Sequence, residues 1–180
     1  MFQLTSCLES EFAMEIIDKS FVEKPKRYII QGLMATLVTA IILYFVEVLT
    51  HAVIVAALGA STFIVFAMPH SITARPRRLI GGHIVGLICG SLCYYVFHAG
   101  PLGELAANWE FIYYVSCALA VGLSIFLMTI TNTEHPPAAA TAVSMVVYGW
   151  SYQIVLFVLL SAIGLAVARR LLMPRLVDLI

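Results

Sequence analysis

Charged side chains are scarce in this sequence, and their scarcity argues against a soluble fold. Only 11% of the 180 residues are charged and 62% are hydrophobic, whereas a soluble domain is about half apolar and about a quarter charged. The formal net charge is zero, and there is no basic patch that nucleic acid would require. We therefore expect an integral membrane protein that is embedded in the lipid bilayer and has no nucleic-acid partner.

Motifs of the common enzyme classes are also missing. The sequence contains no Gly-x-Ser-x-Gly elbow, no Gly-rich phosphate loop with its Lys and no HExxH zinc motif. Its four cysteines show neither a paired extracellular framework nor CxxC spacing, so packing is their expected role. We expect no enzymatic activity, no cofactor and no bound metal.

Long apolar runs are what the sequence does contain. A helix needs about 20 apolar residues to cross the hydrocarbon core, and continuous runs do not alternate as membrane β-strands do. An all-α, polytopic bundle is therefore predicted, in which the second and fifth spans are short. The predicted spans are residues 28–48, 51–68, 79–97, 111–130, 136–150 and 152–172.

The basic residues predict how these spans are oriented. All ten Lys and Arg residues fall into three clusters, and the positive-inside rule places each cluster in the cytoplasm. An even number of crossings must separate clusters that share a side, so both short runs should cross. This gives six crossings, cytoplasmic N- and C-termini and a 3+3 inverted repeat. The clusters are Lys19, Lys24, Lys26 and Arg27; Arg75, Arg77 and Arg78; and Arg169, Arg170 and Arg175.

The N-terminal segment is expected to differ from the rest of the chain. Residues 1–24 lack the pattern of a cleaved signal peptide and mix acidic with apolar positions. They suit either an amphipathic helix on the membrane surface or a simple solvated helix on the cytoplasmic side. Residues 25–180 are predicted to form one transmembrane domain.

One polar segment, residues 129–141, interrupts the second half of this domain. Pro136 and Pro137 suit the first turn of a helix, so a short helix is predicted to begin just after His135. The start of a helix offers unpaired N–H groups and the positive end of its dipole, and a small anion is the expected guest near the middle of the bilayer. The candidate binding residues here are Thr131, Asn132, Thr133, Glu134, His135, Pro136, Pro137, Ala138, Ala139 and Thr141.

Two titratable residues in this segment leave alternatives open. An ionised Glu134 would repel an anion, whereas a protonated Glu134 could donate a hydrogen bond or couple transport to protons. His135 could titrate in the same way. Alternatively, Glu134 faces the cytoplasm or pairs with an Arg, and His135 only caps the helix.

The first half of the domain carries a matching set of candidates. Gly59, Ala60, Ser61 and Thr62 can be aligned with the small residues of the polar segment, and they serve either as hydrogen-bond donors or as packing residues. His83 follows two glycines and either faces the same cavity as His135 or caps a helix. The spacing of Gly82, Gly86 and Gly90 predicts close approach of another helix. Ala162 and Ala166 offer a similar face, for internal packing or a homodimer seam.

The polar segment carries a family resemblance. Residues 134–142 (EHPPAAATA) resemble the His-Pro-Pro signature of the HPP family of membrane proteins. Residues 59–61, 68–71, 75–77 and 80–83 resemble a second characteristic region of that family. Together these stretches cover most of residues 29–172. The resemblance implies an integral membrane protein, with nitrite transport as proposed for plastid relatives, and a bacterial inner membrane as its location.

Three classes of function compete on this basis. The leading hypothesis is a transporter or channel for a small monovalent anion, nitrite first and nitrate next. The alternatives are a structural or signalling membrane subunit without transport, and a metal-ion carrier that uses histidines, Glu134 and cysteines. The family is often described as having four transmembrane helices, so the predicted six crossings depart from that description.

Overall fold

The computed structural model describes residues 23–46, 52–99 and 102–180, which form seven α-helices and no β-strand. This confirms the all-α prediction for the described part of the chain, whereas the predicted N-terminal segment lies almost wholly outside it. The helices are α1 (Pro25–Val46), α2 (Ala52–Ala67), α3 (Pro76–Tyr94), α4 (Gly103–Asn108), α5 (Glu110–Ile130), α6 (Pro137–Val147) and α7 (Tyr152–Leu172). A π-helical turn (Tyr95–Ala99) extends α3, and 3-10 turns occupy Ile72–Ala74 and Met173–Arg175.

Several of these helices are long and apolar enough to cross a membrane. Within the described residues, three stretches qualify by length and composition, Pro76–Ala99, Glu110–Ile130 and Tyr152–Arg175. Two shorter apolar helices, Val53–Ala67 and Pro137–Val147, correspond to the two short predicted spans. The first predicted span begins within α1 and continues beyond Val46, outside the described residues.

The outer surface of the bundle is apolar. Large side chains such as those of Leu33, Phe126 and Leu156 are more than half exposed. A surface of this kind is rare on soluble proteins, and it suits contact with lipid.

The closest helix packing is between α3 and α6. A Cβ atom at Gly86 would overlap the carbonyl oxygen of Ala138, and one at Gly90 would overlap that of Ala142. At Gly82 a Cβ atom would lie 2.7 Å from the Cβ atom of His135. The predicted packing role of the three glycines is therefore confirmed. Because successive glycines meet successive residues of α6, the two helices run in the same direction.

The small residues of α7 also pack inside the chain. Ala162 and Ala166 are buried, and the Cβ position of Gly164 lies 3.5 Å from the Ile42 side chain of α1. Of the two interpretations of this face, internal packing is the one found here.

The first turns of α1, the C-terminal residues and the loop before α3 meet at one end of the bundle. Gln31 donates through its side-chain amide to the carbonyl oxygens of Phe66 (2.6 Å) and Val177 (2.8 Å). Arg169 donates to the carbonyl oxygen of Pro69 at 3.0 Å. These contacts bring the described members of all three basic clusters to the same end, which we call the basic end.

The polar segment re-enters the bundle from the basic end. There, α5 is followed by a turn in which Arg77 donates to the carbonyl oxygen of Thr131 at 3.4 Å and Asn132 adopts a φ of 54°, a left-handed conformation that Asn tolerates. The chain then runs along the first turns of α3, with Thr133 against Gly81 and Gly82. As predicted, α6 begins just after His135.

Candidate functional site

Four polar side chains meet in the interior where α2, α3 and α6 approach one another. Ser61 comes from α2, His83 from α3 and Thr141 from α6, and His135 immediately precedes the two prolines that start α6. Their exposed fractions lie between 0% for His135 and 5% for His83. An apolar helical bundle thus contains two histidines that are almost completely removed from its surface.

Hydrogen bonds join these side chains into one chain. The Oγ1 atom of Thr141 lies 2.9 Å from Nδ1 of His83, and Nε2 of His83 lies 3.2 Å from Oγ of Ser61. The same Ser61 Oγ lies 2.9 Å from Nε2 of His135. The chain ends at the carbonyl oxygen of Thr73, which is 3.0 Å from Nδ1 of His135. We refer to these five residues as the buried polar chain.

The final acceptor fixes the direction of every bond when both rings are neutral. A carbonyl oxygen only accepts, so Nδ1 of His135 carries a proton and Nε2 accepts from the hydroxyl of Ser61. Ser61 has no second proton, and therefore His83 donates to it through Nε2. Nδ1 of His83 is then an acceptor, and it receives the hydroxyl proton of Thr141. All donors in the buried polar chain consequently point the same way, from Thr141 towards Thr73.

The local sequence explains how the residues of the buried polar chain come together. A residue before proline favours an extended backbone, which carries His135 inward along α3 until the prolines start α6. The absence of a side chain at Gly82 leaves space for His135, whose Cβ atom would otherwise be crowded. Thr141 lies about one turn into α6, and its Oγ1 atom reaches Nδ1 of His83 on the parallel helix α3.

Glu134 lies beside this chain but does not join it. Its carboxylate forms an ion pair with Arg78, and both side chains are partly exposed near the basic end. Of the alternatives for Glu134, pairing with an Arg is the one found.

The other predicted site residues occupy three different environments. Thr131, Asn132 and Pro136 are exposed, and Ala139 is half-buried. Thr133, Pro137 and Ala138 are buried. Gly59 and Ala60 of α2 are exposed. Thr62 is buried, and its Oγ1 atom accepts from the hydroxyl of Thr39 at 3.3 Å and donates to the carbonyl oxygen of Leu58.

The first turn of α6 already uses its backbone donors. The amide of Ala138 donates to the carbonyl oxygen of His135 at 2.9 Å, and that of Ala139 donates to the carbonyl oxygen of Pro136 at 3.1 Å. The two prolines have no N–H group. The amides of Ala138 and Ala139 are therefore already engaged at the start of the helix.

A small cavity adjoins the buried polar chain. Ser61, His83 and Thr141 line it together with Ser161 of α7 and apolar side chains of α2 and α7. Ser161 is buried, and its hydroxyl is the single buried side-chain polar atom without a hydrogen-bond partner in the described part of the chain. Sequence reasoning missed Ser161, although it is the one polar side chain between residues 154 and 168. It also missed the carbonyl of Thr73, for which the sequence carries no signal.

The described residues offer little to a metal ion. Within residues 23–46, 52–99 and 102–180, no group of three or more His, Cys, Asp or Glu side chains lies close enough to hold one. The two buried histidines instead find their partners in hydroxyl groups and a carbonyl oxygen.

The fold and this interior define an integral membrane protein built of helices around a buried polar chain. It belongs to the HPP family, because the sequence model of the HPP transmembrane region matches residues 21–176.

Two proteins of Dictyostelium discoideum, each named a transmembrane protein, are similar to it. One is 43% identical over 90 residues, which make up 50% of this chain and 28% of that protein. The other is 37% identical over 107 residues, 59% of this chain and 32% of that protein. The matched stretches span less than a third of either relative. No solved structure gives a significant match.

Proposed function

We propose that this protein carries a small monovalent anion across the membrane, nitrite before nitrate, as a channel or a transporter. The observation that supports this most directly is the buried polar chain inside an apolar bundle. Polar and ionisable side chains within a membrane protein are costly to bury, and they often mark the path of a solute or a proton. Ser61, His83, His135 and Thr141 are the side chains that we propose bind the anion.

These residues suit weak, reversible binding. Hydroxyl groups and neutral imidazole rings donate hydrogen bonds without a fixed positive charge, and a site that conducts must also release its guest. The cationic side chains of the basic end would raise the local concentration of anions at the entrance. Arg77 and Arg78 lie there, beside the polar segment.

Binding requires a rearrangement of the packed interior. In the neutral arrangement the side-chain N–H and O–H groups of Ser61, His83, His135 and Thr141 are all donated within the buried polar chain. An anion must therefore take over donors that now join α2 to α3 and to the polar segment. We propose that α2 moves relative to α3 and α6, so that the His83 N–H and the Ser61 hydroxyl turn towards the guest.

The proposed topology has six crossings in a 3+3 inverted repeat, with both termini in the cytoplasm of a bacterial inner membrane. The common position of the basic clusters supports it, because the positive-inside rule assigns such an end to the cytoplasm. The parallel course of α3 and α6 supports it as well. A homodimer is part of the proposal, although no surface of the described residues identifies its interface.

Nitrite uptake into proteoliposomes tests this function. The wild type is compared with His135→Ala and, as a matched control, with His98→Ala, which removes a histidine near the opposite end of the bundle. We expect saturable uptake by the wild type and by the control, and uptake at the rate of empty vesicles for His135→Ala. If the wild type moves neither nitrite nor nitrate faster than empty vesicles do, the protein is not an anion carrier, and a structural or signalling role becomes the better hypothesis.

A further inference from the structure

The unpartnered hydroxyl of Ser161 indicates that the adjoining cavity holds a polar guest. A buried hydroxyl without a partner costs about 1–3 kcal/mol, and such groups are commonly satisfied by an internal water molecule. Ser161 lines the same cavity as Ser61, His83 and Thr141. This cavity has room for about one water molecule, and it is too small for a three-atom anion.

The surrounding groups also match the hydrogen-bonding capacity of water. The hydroxyl of Ser161 can donate one bond. The oxygens of Thr141 and Ser61 give their own protons to the two histidines but retain lone pairs that can accept. A water molecule that accepts from Ser161 and donates to these two oxygens makes three bonds, the usual number for a buried water.

We propose that one water molecule occupies this cavity and that, together with the buried polar chain, it forms a proton relay leading to the carbonyl oxygen of Thr73. The relay uses the same side chains as the proposed anion path while the interior is packed and free of the anion, and it deepens that function by supplying a proton along that path before the anion takes over the donors. Its test, however, does not depend on which anion is carried.

Each step of the relay exchanges one bond to hydrogen for another. A proton that reaches the water releases a water proton to the Thr141 oxygen, and Thr141 gives its hydroxyl proton to Nδ1 of His83. His83 passes its Nε2 proton to Ser61, which passes its own proton to Nε2 of His135. The last step needs a solvent water molecule that enters beside the half-buried Thr73 and takes the Nδ1 proton of His135 in place of the Thr73 carbonyl, because the His135 ring is itself fully buried.

The transfer leaves every group neutral and moves one proton towards the basic end, with no oxidation or reduction. Thr73 is only half-buried, so it offers a place for the proton to leave. The Arg78–Glu134 ion pair flanks this exit, next to His135. Afterwards the hydroxyl groups and rings point the opposite way, and they must turn back before a second proton can pass.

Proton entry into pyranine-loaded proteoliposomes tests the relay. An inward pH gradient with a negative internal potential is imposed, first without nitrite and then with it. Ser61→Ala removes the bridge between the two histidines, Ser61→Thr retains a hydroxyl there, and Ser144→Ala is a control. The Ser144 hydroxyl is buried on the same helix as Thr141 but donates to the carbonyl oxygen of Ala140. We expect proton entry in the wild type, Ser61→Thr and Ser144→Ala, and its loss in Ser61→Ala.

The outcomes separate the relay from anion transport. Nitrite uptake by the wild type without proton movement beyond that of empty vesicles would overturn the relay and leave the anion carrier standing. Proton entry without any anion uptake would overturn the anion carrier and leave the relay standing. Unchanged proton entry in a folded Ser61→Ala variant would also overturn the relay, since the two rings would then have no bridging hydroxyl.

Thermal unfolding of Ser161→Ala tests the water itself. If the cavity is dry, the substitution removes an unsatisfied hydroxyl, and Tm should rise. If a water molecule is bound, the substitution removes one of its partners, and Tm should fall by more than in Ser144→Ala. A rise in Tm would contradict the occupied cavity and remove the inner end of the relay.

Discussion

Within the described residues, histidine and serine side chains meet at two places, and the two places differ in how far the hydrogen bonding extends beyond the pair. Near the end opposite the basic end, Nε2 of His98 lies 2.9 Å from Oγ of Ser116. Ser116 donates its only proton to the carbonyl oxygen of Tyr113 at 2.8 Å, so it accepts from His98. The His98 ring stacks on Tyr94, and no second histidine of the described residues extends the network.

In the interior, the hydroxyl of Ser61 joins two histidine rings whose centroids are 5.1 Å apart. A buried His–Ser pair is therefore not by itself a path for protons. At His98 the hydrogen bonds end at a backbone carbonyl after a single serine, which suits a structural anchor, whereas the buried polar chain reaches the carbonyl of Thr73 only after two histidines and two hydroxyl groups. Along the buried polar chain the same residue types alternate, so each proton accepted leaves another to be donated.

The largest expected effect concerns the packing that builds the interior site. Gly86→Ala places a methyl group against the carbonyl oxygen of Ala138, where backbone must move. At Gly122 of α5 nothing lies within 4 Å of the Cβ position, so Gly122→Ala is the matched control. We expect Gly86→Ala to lose about 3 kcal/mol or more of unfolding free energy or to fail to fold. Gly122→Ala should be neutral or stabilising by up to about 1 kcal/mol. Unfolding in detergent, followed by circular dichroism, measures both.

The next effect contrasts the two histidine sites directly. His83→Ala leaves Ser61 and Thr141 without their ring partner and opens a space in the core, so we expect a loss of about 2–4 kcal/mol. His98→Ala truncates a half-buried side chain and removes one hydrogen bond, so we expect the free energy of unfolding to fall by about 1 kcal/mol. Equal losses in the two variants, measured by denaturant unfolding, would contradict the distinction between a connected chain and a local anchor.

A smaller effect is expected at the inner end of the chain. Thr141→Val keeps the shape of the side chain but removes the hydroxyl that donates to His83, which leaves a buried ring nitrogen unpaired and costs about 1–3 kcal/mol. Thr141→Ser keeps the hydroxyl and should retain nitrite uptake. Uptake and Tm of the two variants are measured together. Full nitrite uptake by a folded Thr141→Val variant would show that transport does not require the Thr141 hydroxyl.

The sequence predicts the elements of this site better than their assembly. Proline chemistry and helix length predict α6 and its start, because these are local properties of Pro136 and Pro137. The sequence also identifies Ser61 and His83 as candidates, but Gly59 and Ala60, predicted beside Ser61, are exposed. Which face of α2 points inward depends on packing with distant helices, and neither helical periodicity nor hydropathy encodes it in a helix that is apolar all round.

The smallest effect is expected at the rim of the interior site, where Glu134 pairs with Arg78. It tests whether this ion pair is independent of the buried polar chain. Glu134 and Arg78 have partly exposed side chains, 35% and 21% respectively, and an ion pair near solvent contributes about 0–1 kcal/mol. Glu134→Gln should therefore lower the free energy of unfolding by no more than this amount. Because salt screens such pairs, the difference from the wild type should shrink as ionic strength rises. A loss several times larger, or one insensitive to salt, would mean that Glu134 supports the buried polar chain through His135, and the pair would then belong to the interior site rather than to its rim.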